Sequence, residues 1–128
     1  MRKLDRTRYF SSRAFAALLA LGLASPALAH ARLVLASPAE NAAVAPAPTE
    51  LRLKFSEAVE LKFTKVKLTG PQMKVIETGP ARLAPDDDSL IIVPIAAPLA
   101  GGKYTVDWQA VSRDGHRTSG GYIFESTK

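Results

Sequence analysis

Two histidines stand in this chain of 128 residues, His30 and His116, and cysteine is absent. His30 directly follows Ala27-Leu28-Ala29, an A-x-A signal for removal of a leader. Cleavage there makes His30 the first residue of the processed chain, with a free α-amine beside its imidazole. The amine and Nδ1 of one histidine can close a six-membered chelate ring on a metal ion. Such amines titrate at roughly 7.7–8, so protons compete only mildly at neutral pH. The second histidine lies in Ser112-Arg113-Asp114-Gly115-His116. Asp114 offers a carboxylate from the same turn, and Gly115 lets the backbone bend so that the two side chains converge. His30, His116 and Asp114 would together supply three nitrogens and one oxygen. Tetragonal N/O ligation favours Cu(II), while Zn(II) accepts the same donors. Beyond the leader Met73 is the only methionine, so a thioether site for Cu(I) cannot be assembled in the monomer. Glu57, in Phe55-Ser56-Glu57, is placed either to accept a hydrogen bond from a liganding imidazole or simply to sit in an exposed loop. Each feature alone is also what an ordinary cleavage point or an ordinary turn looks like.

These groups need a scaffold, and the sequence describes one. Residues 1–29 read as a cleaved signal peptide: five basic residues and one acid lead into the apolar run 14–24, which Pro26 ends. A run of that length is too short for a membrane span. The formal charge of +5 belongs almost wholly to this leader. Residues 30–128 carry 12 basic and 11 acidic side chains, which argues against nucleic acid as a partner. The expected processed form is a single domain over 30–128, exported yet without a disulfide, so its stability rests on its core.

Within that domain the pattern is all strand. Residues 31–36, 50–55, 61–68, 73–77, 89–93, 103–112 and 121–126 read as about seven strands, separated by Pro and Gly, and predict a small β-sandwich. A phase shift between Phe63 and Val66 predicts a β-bulge. Residues 39–48, rich in Ala and Pro, read as a loop, and Asp86-Asp87-Asp88 as a solvated turn rather than a calcium site. Trp108, mid-strand, is expected in the core. Arg113 and Arg117 read as surface charges beside the site, with docking of an acidic partner as the alternative.

The same residues carry a family resemblance. The His after Ala-Leu-Ala, the block 51–57 (LRLKFSE), the block 102–108 (GKYTVDW), Val111-Ser112-Arg113-Asp114-Gly115-His116 and Gly120-Gly121-Tyr122-Ile123-Phe124 resemble the CopC-type periplasmic copper-binding proteins. The resemblance runs over nearly all of residues 30–128. It implies a Greek-key β-sandwich or barrel, similar to a cupredoxin or immunoglobulin-like domain. It implies Cu(II) on His30, Asp114 and His116 with Glu57 near the site, and copper transfer to an inner-membrane partner of the CopD type. Some members have a Met-rich loop for Cu(I). The stretch around 69–82 has only Met73, so the likeness is to the Cu(II)-only members. The expectation is a monomeric periplasmic copper carrier without catalytic turnover, whose affinity falls on acidification as its nitrogen donors take up protons. Two alternatives stand beside it. One is a histidine-brace copper oxidase or monooxygenase, resembling the lytic polysaccharide monooxygenases. The other is a metal-free secreted interaction module.

Overall fold

A computed structural model describes Gly22 and residues 30–127 of the chain. The expected leader, apart from Gly22, lies outside the described residues. Among the described residues nine strands form: β1 (Leu33–Ser37), β2 (Ala43–Val44), β3 (Glu50–Phe55), β4 (Lys65–Thr69), β5 (Val75–Ile76), β6 (Arg82–Ala84), β7 (Asp87–Pro94), β8 (Gly102–Val111) and β9 (Arg117–Ser126). They make two sheets, ordered β1-β3-β7-β6 and β2-β9-β8-β4-β5. The fold is the expected all-β sandwich.

Alternation builds the core. On β3, Leu51, Leu53 and Phe55 point between the sheets, where Ile91 and Val93 of β7 meet them. The opposite sheet contributes Val106 and Ala110 from β8, and Tyr122 and Phe124 from β9. Full burial of one such large apolar side chain is worth roughly 1.5–3 kcal/mol, so this interior can hold the domain without a cross-link. Trp108 is only half-buried. It lies edge-on to Phe55, ring centroids 5.2 Å apart, at the margin of the core. Gly120 faces it across the β8–β9 ladder, and a Cβ there would come within 2.7 Å of the indole.

The structure corrects the strand reading in four places. Residues Leu61–Phe63 form a 3-10 turn before β4, which accounts for the phase shift; the irregular registers lie instead in β1, between Leu33 and Leu35, and in β6, between Leu83 and Ala84. Two strands escaped notice, β2 inside the Ala/Pro-rich loop and β6, because two or three residues are too few to show a period. The acidic run is also not a free turn, since Asp87 and Asp88 open β7. Nine strands replace the expected seven.

Asp87 has a definite electrostatic role. Lys54 donates to its carboxylate, and the Ser89 hydroxyl and backbone N–H donate as well. These contacts, the Lys54 hydrogen bond first, hold its carboxyl down to about 2, against 3.8 for an unperturbed aspartate. The folded protein therefore binds this proton less tightly than the unfolded chain. The contribution is present above about pH 4 and fades as pH falls toward 2. Asp87→Asn is expected to lower the urea midpoint at pH 7 and to flatten the decline of that midpoint between pH 4 and pH 2. An unchanged acid limb would show that other carboxylates carry it.

Candidate metal centre

The longest pairing in the molecule positions the site. β8 and β9 pair residue for residue from Gly102↔Ser126 to Val111↔Arg117, and the loop that joins them, residues 112–116, holds Asp114 and His116. Ser112 N–H donates to the His116 carbonyl at 2.9 Å, and Gly115 N–H to the Ser112 carbonyl at 2.9 Å. Gly115 has φ +87°, a left-handed conformation that glycine takes without strain. The loop is braced from outside too. Glu60 N–H donates to the Val111 carbonyl at 2.7 Å, and Arg113 pairs with Asp88 at 2.5 Å.

A second anchor brings in the other end of the domain. Ala31 is fully buried, and its carbonyl accepts a hydrogen bond from Thr118 Oγ1 at 2.6 Å. Ser56, just past β3, exchanges hydrogen bonds with Arg32, and its hydroxyl also reaches the His30 carbonyl at 3.4 Å. His30 is thus fixed over the β8–β9 loop. Its ring meets that of His116 edge-on, centroids 4.6 Å apart, with both rings at the surface.

His116 Nδ1 lies 2.8 Å from Asp114 Oδ2. Asp114 Oδ1 accepts from the hydroxyl of Ser112, a residue buried completely beneath the loop. The Ser112 hydrogen bond first, and the His116 contact second, hold the Asp114 carboxyl down to about 2. The carboxylate is therefore a fixed negative charge against the imidazole. Glu57 lines a shallow depression with Ala58, Arg113 and Asp114, and has no hydrogen bond or ion pair among the described residues. It neighbours Asp114 and makes no hydrogen bond to either imidazole.

The structure thus brings His30, His116 and Asp114 to one end of the sandwich and sets Glu57 beside them. Among the described residues, no group of three or more His, Asp and Glu side chains is already gathered as a metal cage. Asp114 is held by Ser112 on one oxygen and by His116 on the other. Met73 stands 85% exposed in a turn at the far end of β4, remote from these groups.

Sequence reasoning missed Ser112, Ser56 and Thr118. Ser112 was within reach, since a Ser two residues before an Asp in a turn commonly bonds locally. Ser56 and Thr118 act on residues far away in the chain, and nothing in their local pattern marks them.

A family model of the CopC domain matches residues 33–127. Protein YobA of Escherichia coli K12 is 47% identical over 109 residues, which are 84% of this chain and 88% of YobA. The crystal structure of CopC from Methylosinus trichosporium OB3b superposes with a TM-score of 0.71 at 30% identity, covering 77% of this chain and 94% of that one. PcoC, a methionine-rich copper resistance protein from Escherichia coli, superposes with a TM-score of 0.70 at 35% identity, covering 77% of this chain and all of PcoC.

Proposed function

This chain belongs to the CopC family, and on that premise we propose that it is a periplasmic carrier of Cu(II), holding one ion between its processed N-terminus and the Asp114–His116 loop. The amine and imidazole of His30 form the chelate, the His116 imidazole supplies the third nitrogen, and Asp114 supplies the oxygen. The reading rests above all on one observation: the only two histidines of the chain meet ring to ring, at 4.6 Å. The histidine that would open the processed domain is held by Ser56 at its own carbonyl, and its neighbour Ala31 is held by Thr118.

The donor chemistry supports Cu(II) over Cu(I). Imidazole, amine and carboxylate suit the divalent ion, whereas Cu(I) selects thiolate and thioether. The lone methionine of the domain is at the other end of β4. Such a site resists reduction, which fits sequestration and carriage rather than catalysis. The site is built from one chain, so a monomer suffices. An inner-membrane transporter of the CopD type is the recipient this reading implies.

Titration of the processed protein with Cu(II), followed by EPR, tests the proposal. The expected result is saturation at one ion per chain, with a tetragonal spectrum showing nitrogen and oxygen ligation. Only weak, multiple binding would overturn it and favour a metal-free interaction module.

A further inference from the structure

The basic side chains of the two sheets are treated differently. On and beside the β1-β3-β7-β6 sheet most of them have an acidic partner: Arg52 and Arg82 share Glu50, Lys54 meets Asp87 and Arg113 meets Asp88, while Arg32, just ahead of β1, has none among the described residues. On the outer face of the other sheet, at the end near the site, Lys65, Lys67 and Arg117 have no ion-pair partner among the described residues, and neither does Lys62 in the adjoining 3-10 turn. The register places them together. Lys65 lies opposite Gln109, which lies opposite Ser119; Lys67 lies opposite Asp107, which lies opposite Gly121. Arg117 ends the same outward-facing row of β9. Asp107 is the single acid between them, and at the far end of this face Lys103 stands opposite Glu125.

An exposed aromatic completes the patch. Phe63 is 51% exposed, with Lys62 Nζ 5.6 Å from its ring centroid. The turn that carries it is tied to the root of the site loop, through Glu60 N–H to the Val111 carbonyl and Val111 N–H to Thr64 Oγ1. Residues 30–128 are close to neutral as a whole, so this local excess of positive charge is a property of the face and not of the domain.

We propose that this face, formed by Lys62, Phe63, Lys65, Lys67 and Arg117, docks the protein on an anionic lipid surface. Unpaired lysines and an arginine attract acidic headgroups, and an exposed ring flanked by a lysine suits the headgroup boundary. Apart from Asp107, the residues between them in the register (Gln109, Ser119 and Gly121) are uncharged, which lets a broad surface approach. Arg117 adjoins His116, so docking would set the His30–His116 pair close to the bilayer, within reach of a membrane-embedded recipient. The inference goes beyond the copper reading and does not depend on it.

Co-sedimentation of the processed, metal-free protein with vesicles tests it. Vesicles containing phosphatidylglycerol are compared with pure phosphatidylcholine, at low and high salt. The expected result is binding to the anionic vesicles only, weakened by salt. Each basic residue near such a surface is worth roughly a fivefold change in partitioning. The triple variant Lys62→Glu, Lys65→Glu, Lys67→Glu should therefore lose at least about tenfold, and Phe63→Ser should lose part of the binding without any change of charge. A triple variant with the same charge change elsewhere, at Arg52, Lys74 and Arg82, should retain most of it. Circular dichroism checks that each variant is folded; Lys→Gln versions replace any that is not. Equal loss in both triple variants would overturn the proposal, as would equal binding to both vesicle types. Absence of vesicle binding, with patch-dependent binding to polyglutamate, would overturn it in favour of an acidic protein partner.

Discussion

One extra alanine ahead of His30 in the processed chain is expected to weaken Cu(II) binding about a hundredfold or more. The magnitude follows from sharing out a binding energy. Four-ligand protein sites hold a divalent ion with roughly 10–16 kcal/mol, which puts about 3 kcal/mol, or two orders of magnitude, on each ligand. The extension converts the His30 amine into an amide, so one nitrogen is lost and the chelate ring with it. Nothing in the packing opposes the added residue, since His30 is exposed and is held through its carbonyl, not its nitrogen. The extended protein should therefore melt like the parent, which separates loss of a ligand from loss of fold. Competition against a chromophoric chelator gives the affinities, and EPR should show the nitrogen count reduced. Equal affinities in the two forms would mean that His30 does not chelate through its amine, and the assignment of the processed N-terminus would fall with it.

The sandwich was legible wherever one face of a strand is buried and the other wet. β3 and β8 alternate cleanly because Leu51, Leu53 and Phe55, or Val106 and Ala110, must all reach the same interior. β2 and β6 were not legible, because their placement comes from backbone pairing with β9 and β7 rather than from any pattern of their own. The bulge expected in residues 61–68 illustrates a limit of a different kind. A 3-10 turn and a bulge shift the phase of alternation in the same way, and only the backbone distinguishes them. At the site the candidate donors could be read from chemistry, for histidines are few and one follows an Ala-x-Ala pattern. Their convergence could not. It depends on Ala31 being buried and on Thr118 holding its carbonyl, a contact between residues at opposite ends of the domain. The partners of Asp87 and Asp88 were hidden for the same reason, since Lys54 and Arg113 reach them from other elements.

Asp114 poses the sharpest question about how the site works, and a double-mutant cycle with His116 is expected to answer it. In the structure the carboxylate takes a hydrogen bond from Ser112 on one oxygen and contacts His116 Nδ1 on the other. A carboxylate in that position can serve copper in two ways. It can move an oxygen onto the ion, or it can stay on the imidazole and fix the direction of its other nitrogen. Under the proposed ligation, His116→Ala should cost about a hundredfold in Cu(II) affinity, one full ligand by the same division of energy. Asp114→Asn should cost roughly 10–100-fold, and most of that cost should persist when His116 is already alanine. An orienting carboxylate predicts a different pattern: with no imidazole left to orient, Asp114→Asn becomes silent. Both residues are exposed, on a loop braced by the Arg113–Asp88 pair, so the variants should fold and the comparison can be made at equal stability. A silent second substitution would remove Asp114 from the ligand set, leaving three nitrogens on the ion and a carboxylate whose work is to aim one of them.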